Sequence, residues 1–235
     1  MNETDGLIRV AILDDHQGIL DGYLYRLQGD TDIVIVGTTR YGDDLGPLLA
    51  HHEVDVLLLD MQVPTSPENP NIFPVLPTIP GLVQSYPDMA ILAISMYNQR
   101  TLIQATLDAG ASGYILKTDY VAIQELATII RSVANQGIYL SDQAYQAIQH
   151  KAGGEGAANL TSRQLEALTL CSAYPDLTTA DLARRMNIAH STLRNLLSGA
   201  YLKLGVSNRS AAIIKARQLG LIPSDSAPSN FTPFS

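Results

Sequence analysis

The sequence predicts an α/β protein built on a doubly wound parallel sheet of five strands, followed by a second, smaller, all-α unit of four helices. Through residue 136, short apolar runs alternate with amphipathic segments of helical spacing. This alternation is typical of right-handed strand-helix-strand crossovers in a parallel sheet. Residues 160–222 contain helical patterns without strand patterns, and the Gly-rich segment 151–159 between them has the composition of a flexible linker.

Length, cysteine content and hydropathy limit the classes of protein that this chain can be. With 235 residues, the chain can form two modest domains. Its single cysteine, Cys171, excludes an internal disulfide. No apolar run approaches the roughly 18 residues of a membrane span, and the start of the chain lacks a secretory signal. We therefore expect a cytoplasmic protein that does not enter the membrane.

The charge is distributed unevenly between the two units. Residues 1–159 carry 7 Lys and Arg against 19 Asp and Glu, whereas residues 160–222 carry 8 against 3, within a net charge of −8. Only the basic second unit is expected to bind a polyanion.

Five strands are predicted in the first unit, at residues 8–13, 33–36, 54–59, 90–94 and 114–116. The third strand has the near-continuous apolar pattern of a strand that helices bury on both faces. Helices are predicted at 19–27, 45–52, 101–107 and 121–135, with one further helix at 141–149. Six prolines between residues 65 and 87 predict a long loop with one short helix.

Polar residues follow four of these strands, namely Asp14 and Asp15, Asp60, Ser95 and Lys117. Because the carboxyl ends of parallel strands meet at one edge of a sheet, we expect these side chains to lie together. Three crowded carboxylates need a cation, and oxygen ligands favour Mg²⁺. Asp60 could then act as a nucleophile for a phosphoryl group, with the serine and lysine contacting phosphate oxygens. Taken singly, each of these five residues is more often a turn or surface residue.

The second unit shows helix-start signals in sequence. Thr161 and Gln164 have the spacing of a capping box, and Thr178 and Asp181 repeat it. Asn187 can adopt the left-handed conformation of a tight turn before a helix at 191–204. Two helices joined in this way are typical of a helix-turn-helix, and a last helix is predicted at 210–219.

The first unit resembles the CheY-like receiver domains of response regulators, which have a flavodoxin-like fold. The motifs that carry the resemblance are LDDH at 13–16, LLLDMQVP around Asp60, AISMY with Ser95, and GYILK with Lys117. The resemblance implies that Asp60 accepts phosphate from a sensor histidine kinase. It implies that Mg²⁺ is held by Asp14, Asp15, Asp60 and the backbone carbonyl of Gln62. It also implies a switch in which Ser95 is drawn in and the Tyr114 ring turns inward.

The second unit resembles the four-helix DNA-binding domain of LuxR and NarL-type regulators, over nearly all of residues 160–222. The helix at 191–204 would be the recognition helix in the major groove of double-stranded DNA. The resemblance puts Arg194, Asn195 and Ser198 nearest the bases. It implies phosphate or backbone contacts from four residues: Thr178, Thr192, Lys203 and Arg209.

The segment between Pro64 and Pro87 departs from the receiver pattern, because it is about seven residues longer than in typical relatives and has prolines where a helix should run. We hypothesise an irregular lid or partner surface beside the pocket. A regular helix across residues 72–86 would contradict this hypothesis.

The sequence thus predicts a two-component response regulator of the NarL/FixJ type that binds DNA as a homodimer. The predicted domains are a receiver at 1–136, a helix and flexible linker at 137–159, a helix-turn-helix domain at 160–222 and a disordered tail at 223–235. One alternative is a receiver governed by a ligand or a partner protein instead of phosphate. A second is a metal-dependent phosphohydrolase, although Gln62 stands where such an enzyme needs a second acid, so we do not expect an enzyme.

Overall fold

The computed structural model describes residues 6–135, 137–149, 160–206 and 208–222. The linker at 151–159 and the tail from 223 lie outside these residues. The first part of the chain is a six-stranded parallel sheet in the order β2-β1-β3-β4-β5-β6, flanked by helices. The doubly wound α/β class is confirmed, but the predicted number of strands was one too low.

The strands and the first helices fall close to the predicted positions. In chain order they are β1 Ile8–Leu13, α1 Gln17–Leu27, β2 Ile33–Thr39, α2 Leu45–His51, β3 Val56–Asp60, α3 Val75–Ser85, β4 Ala90–Ser95, α4 Arg100–Asp108, β5 Gly113–Leu116, α5 Tyr120–Gln124, α6 Leu126–Ala134, β6 Tyr139–Leu140 and α7 Asp142–Gln149. All five residues of β3 are buried, as its apolar pattern predicts for a central strand covered on both faces. Two apolar clusters, one on each face of the sheet, form the core.

The single helix predicted at 121–135 is two helices. Helix α5 ends at Gln124, and α6 begins at Leu126 after Glu125, which has φ −92° and ψ 15°. The apolar side of α6, including Leu126, Ile129 and Val133, is buried against the sheet. The apolar periodicity of the sequence indicates this buried face. One non-helical residue inside the segment barely changes that periodicity, so the sequence predicted a single helix.

The sixth strand and α7 extend the sheet beyond residue 136. β6 pairs in parallel with β5, with Tyr139 opposite Gly113 and Leu140 opposite Tyr114. Leu140, Ala144 and Ile148 are buried in the core cluster on one face of the sheet. We therefore propose that residues 139–148 belong to the receiver unit, although the sequence placed them in the linker.

The irregular lid hypothesised between Pro64 and Pro87 is wrong for the second half of that segment, because the regular helix α3 runs from Val75 to Ser85. Pro77 lies in the first turn, where backbone N–H groups have no helical partner, and Pro80 removes one interior hydrogen bond. The burial of Val75, Ile79, Leu82 and Val83 outweighs that loss. Residues 65–74 do form a loop, tied down by the Thr65 N–H donating to the Asn71 carbonyl at 2.9 Å.

The second part of the chain contains four helices around its own apolar cluster, which includes the buried Cys171. They are α8 Ser162–Ala173, α9 Thr179–Arg185, α10 His190–Leu204 and α11 Arg209–Gln218. Both predicted capping boxes are present, at Thr161 with Gln164 and at Thr178 with Asp181. Asn187 has φ 53°, the left-handed conformation predicted for the turn between α9 and α10.

Candidate phosphoacceptor pocket and recognition helix

Four neighbouring strands bring polar side chains to one edge of the sheet. Asp14 directly follows β1, Asp60 is the last residue of β3, Ser95 is the last residue of β4, and Lys117 directly follows β5. Strands β3, β4 and β5 are buried throughout, and β1 is apolar and buried from Val10 to Leu13, so these polar residues lie where each strand leaves the core. We refer to Asp14, Asp15, Asp60 and Lys117 as the acidic pocket.

Lys117 joins two of the carboxylates in the acidic pocket. Its Nζ lies 2.7 Å from Asp14 Oδ2 and 2.8 Å from Asp60 Oδ2. Asp14 and Asp60 are only 1% and 4% exposed, so this pairing takes place away from bulk water. The backbone N–H of Gln62 also donates to Asp60 Oδ1 at 3.1 Å. The Asp60 carboxyl is therefore held in one orientation at the end of β3.

Burial and neighbouring charges shift the pKa values in the pocket. Burial raises the pKa of the Asp60 carboxyl, and the hydrogen bond and charge of Lys117 offset only part of that rise. Burial alone would lower the pKa of the Lys117 ammonium, but the hydrogen bonds that it donates to Asp14 and Asp60 outweigh burial and raise the pKa. Lys117 therefore stays charged beside Asp14 and Asp60.

The donor set fits a hard divalent cation. Ligand atoms of Asp14, Asp15, His16 and Asp60 all lie within 4.8 Å of one another. Three of the four residues offer carboxylate oxygens, the ligands that Mg²⁺ prefers. The fourth, His16, has a 65% exposed side chain, and its Nδ1 lies 2.7 Å from Asp15 Oδ1. One lysine leaves the three carboxylates with surplus negative charge, which a bound Mg²⁺ would offset.

Ser95 and Tyr114 are connected through Tyr97. The backbone N–H of Tyr97 donates to Ser95 Oγ at 3.1 Å, and the Tyr114 hydroxyl donates to the Tyr97 carbonyl at 2.7 Å. The Tyr97 hydroxyl in turn donates to Gln62 Oε1 at 2.5 Å. The sequence analysis did not assign a role to Tyr97, although an aromatic residue two positions after Ser95 was a signal that could have been followed.

The Tyr114 ring, which was expected to turn inward on phosphorylation, already points inward in this conformation. The Tyr114 side chain is already fully buried, because its ring packs in the core cluster and its hydroxyl has the Tyr97 carbonyl as a partner. The predicted inward turn on phosphorylation therefore needs correction, and a role for Tyr114 in switching remains a prediction.

The side chains predicted to read bases lie against the first part of the chain. Arg194 Nη1 donates to the Gly110 carbonyl at 3.1 Å, and Asn195 Nδ2 donates to the Asp108 carbonyl at 2.9 Å. His190 Nδ1 lies 2.9 Å from the Pro87 carbonyl. We refer to these contacts between α10 and the ends of α3 and α4 as the docked interface.

The docked interface buries the Arg194 guanidinium, which forms no ion pair with a carboxylate among the described residues. Arg194 is 3% exposed, and burial lowers its pKa to about 10, although the charge of Asp88 opposes that change. Ser198 is 4% exposed, and its hydroxyl donates to the Arg194 carbonyl at 3.0 Å. Side chains placed in this way cannot reach base edges until α10 leaves the interface.

The four residues predicted to contact phosphate have different surroundings. Thr192 is exposed, and Thr178 uses its side chain to cap α9. Lys203 Nζ donates to Gln164 Oε1 at 2.9 Å. The Arg209 guanidinium donates to the carbonyls of Cys171, Tyr174 and Leu177, so its immediate role is to hold α8 and the following turn in place.

Two family models together match most of the chain. The model described as response regulator receiver domain matches residues 10–131, and the model described as bacterial regulatory proteins, luxR family, matches residues 158–216. The first match alone spans more than half of the chain. Among the described residues, no helix has the length and apolar character needed to cross a membrane.

Individual relatives align along nearly the full chain. The DNA-binding transcriptional activator DevR/DosR of Mycobacterium tuberculosis is 26% identical over 218 residues, which cover 91% of this chain and 95% of that protein. The transcriptional regulatory protein DesR of Bacillus subtilis is 27% identical, with 91% and 98% covered. Among solved structures, the RcsB response regulator of Salmonella typhimurium matches with a TM-score of 0.54 and 21% identity, over 91% of this chain and 99% of that chain. The RcsB match supports the fold.

Proposed function

The chain belongs to the DNA-binding response regulators that join a receiver domain to a LuxR-type helix-turn-helix domain, and from this premise we propose that Asp60 is the phosphoacceptor that controls its binding to DNA. The observation that carries the proposal is the acidic pocket, in which Asp60 lies buried beside Lys117 and Asp14. A regulator governed by a ligand instead of phosphate is not favoured, since every polar group needed for phosphoryl transfer is present.

In the proposed reaction, an oxygen of the Asp60 carboxylate attacks the phosphorus of a phosphohistidine in a sensor histidine kinase. A bond forms between that oxygen and phosphorus while the bond from phosphorus to the histidine nitrogen breaks, and the nitrogen keeps the electron pair. Asp14, Asp15, Asp60 and the Gln62 carbonyl would hold Mg²⁺. When bound, Mg²⁺ would offset the negative charge that builds up on the transferring group.

Lys117 and Ser95 have separate parts in this proposal. The Lys117 ammonium, now shared between Asp14 and Asp60, would turn to a phosphoryl oxygen once Asp60 carries an acyl phosphate. The Ser95 hydroxyl, at the end of the neighbouring strand β4, would donate to another phosphoryl oxygen. Both changes alter the loops that follow β4 and β5, next to α4.

The docked interface supports control of DNA binding by release of α10. Helix α4 ends at Asp108, whose carbonyl accepts from Asn195, and the carbonyl of Gly110, two residues later, accepts from Arg194. A shift of α4 after phosphorylation would remove these acceptors and expose the recognition helix. Two released chains could then form a homodimer that reads paired half-sites, since one small module alone has limited affinity for DNA.

The test of the phosphoacceptor is covalent labelling by acetyl phosphate, followed by intact-mass measurement. We expect the native chain to gain one phosphoryl group in the presence of Mg²⁺ and none after chelation. Asp60→Ala should remain unlabelled, whereas Asp21→Ala, which alters an exposed carboxylate on α1, should label like the native chain. Labelling of Asp60→Ala to the native extent would place the nucleophile elsewhere.

The test of control is DNA affinity with and without the phosphoryl mimic beryllofluoride. A duplex selected by the native chain from a random library serves as the probe. We expect beryllofluoride with Mg²⁺ to tighten binding in the native chain and to have no effect in Asp60→Ala. Equal affinities in the native chain under both conditions would contradict control by phosphorylation.

A further inference from the structure

Asp119 lies two residues after Lys117, and its side chain is only 5% exposed. We propose that Asp119 is a positioning residue that couples the acidic pocket to the DNA-binding unit, by fixing helix α7 to the loop that carries Lys117. This proposal rests on the proposed role of Asp60 and names the route by which its phosphorylation reaches α10. We refer to residues 117–119 as the Lys117 loop.

The Asp119 carboxylate caps two helices at once. Its Oδ1 accepts a hydrogen bond from the Ala122 N–H at 3.3 Å, at the start of α5. Its Oδ2 accepts from the Gln143 N–H at 3.1 Å, at the start of α7. Both N–H groups belong to first helical turns, which lack partners within their own helices and favour a negative charge nearby. One side chain therefore sets the position of α7 relative to the Lys117 loop.

Side-chain contacts on both sides of Lys117 reinforce this connection. Ser141 Oγ accepts from the Leu116 N–H at 3.2 Å and from the Ala144 N–H at 3.4 Å. The Thr118 hydroxyl donates to Gln143 Oε1 at 2.9 Å. The start of α7 is thus bonded to the residues immediately before and after Lys117. A movement of Lys117 toward a phosphoryl group would pull on these bonds.

One side of α7 lies beside the DNA-binding unit. Ala144 and Ile148 are buried in the same apolar cluster as Leu202, which belongs to α10. The Tyr145 hydroxyl lies 2.7 Å from the position that a Cβ on Gly205 would occupy, at the end of α10. Helix α7 therefore contacts the Lys117 loop at its start and lies beside the end of α10 through Tyr145. Its position would bias the equilibrium between docked and released α10, the two-state element that coupling requires.

Asp119→Asn separates this role from simple packing, because the two side chains have nearly the same shape. An amide has a single acceptor oxygen, so Asn can keep only one of the two capping bonds and turns an N–H₂ group toward the other N–H. Asp142→Asn is the matched control. Asp142 is exposed in the first turn of α7, and its replacement by Asn removes the same charge as Asp119→Asn does.

The experiment measures two quantities for the full chain of each variant. The first is labelling of Asp60 by acetyl phosphate with Mg²⁺, and the second is the ratio of DNA affinities with and without beryllofluoride. We expect native labelling in Asp119→Asn, with a ratio reduced about fivefold, the equivalent of one lost helix cap. Asp142→Asn should keep both the labelling and the ratio. A native ratio in Asp119→Asn would overturn the coupling proposal.

Failure of the proposed function gives a different result, because then neither the native chain nor any variant is labelled by acetyl phosphate. If Asp119→Asn does not fold, as judged by thermal unfolding, Ser141→Ala replaces it as the test. This variant removes the hydroxyl that accepts from Leu116 and Ala144. A reduced ratio with native labelling supports the proposal, and a native ratio overturns it.

Discussion

The acidic pocket and the recognition helix satisfy their polar side chains in different ways. In the pocket, Lys117 is bonded to the carboxylates of Asp14 and Asp60, which other strands of the same sheet deliver. On α10, Arg194 and Asn195 are bonded to backbone carbonyls of a separate folding unit. The pocket therefore has a geometry that persists as long as the sheet is folded. The docked interface depends instead on an association that charge and pH can weaken.

Removal of the pocket lysine should have the largest effect. Lys117→Met leaves Asp14 and Asp60 buried without their countercharge, and breaking a buried ion pair in this way costs about 3–5 kcal/mol. We expect the free energy of unfolding in urea at neutral pH to fall by about 3 kcal/mol, with part of the loss restored by Mg²⁺. Lys215→Met, at an exposed position on α11, should change it little. Equal losses in the two variants would show that Lys117 does not hold the carboxylates together.

A wedge in the docked interface should raise DNA affinity without a phosphoryl donor. Ala109 lies beside His190 and Asn195 in the cleft between α4 and α10. Ala109→Arg adds bulk and a second positive charge near the buried Arg194, so we expect about tenfold tighter binding, or about 1.4 kcal/mol. Fluorescence anisotropy with the selected duplex measures this. Thr101→Arg adds the same charge at the exposed start of α4. An equal gain in DNA affinity in that variant would show that the added charge attracts DNA and that release of α10 is not the cause.

Acidification should weaken the docked interface through His190. Burial and the charge of Arg194 lower its pKa from the ordinary 6.5, and the Pro87 carbonyl and the charge of Asp88 oppose this only in part. Nε2 has no hydrogen-bond partner among the residues that the structure describes. The docked form therefore binds a proton less readily than the released form. Docking is at full strength above pH 6.5 and weakens as the pH falls below it.

We expect the DNA-affinity gap between the native chain and Ala109→Arg to narrow about fivefold between pH 7.5 and pH 5.5, because a released His190 with the ordinary histidine pKa gains a proton in this range. Ala109→Arg is already released, so its own pH dependence measures the direct effect of a charged His190 on DNA. In a His190→Gln background the gap should no longer depend on pH. A gap that narrows equally in that background would assign the effect to another group.

The smallest expected effect is the difference in stability between replacing the capping threonine of α9 and replacing an exposed threonine of α10. Thr178→Ala removes the side chain that accepts from the Asp181 N–H at 3.1 Å, so we expect a loss of about 1 kcal/mol in the stability of the unit. Thr192→Ala should leave stability unchanged and weaken DNA binding, if Thr192 contacts phosphate. Urea unfolding and anisotropy of both variants measure the two quantities. A stability loss in Thr192→Ala would contradict this division.

The elements that the sequence predicts well depend on neighbouring residues. The apolar run before Asp60 requires a buried strand, and the pairs Thr161 with Gln164 and Thr178 with Asp181 mark where helices begin. Because the strands are parallel, the polar residues that follow them are carried to one edge, so the convergence of the acidic pocket could be predicted from strand ends alone.

Other features depend on residues far apart in the chain. Strand β6 has two residues, too few to show periodicity, and it forms because β5 offers it an unpaired edge. Helix α3 forms through two prolines because the core on which it packs repays the lost hydrogen bond. Asp119 accepts a hydrogen bond from Gln143, 24 positions later, and no local sequence pattern predicts a pair so far apart.

The sequence by itself determined the α/β class, the positions of the first five strands, the pocket at their carboxyl ends and the helix-turn-helix. Each of these follows from short-range periodicity, capping and strand direction. Only the tertiary structure decided that Arg194 and Asn195 are bonded to the receiver, because their partners are backbone carbonyls, which every residue carries. Which of those carbonyls a side chain reaches depends on how the two units pack, and that is the sum of many weak long-range contacts.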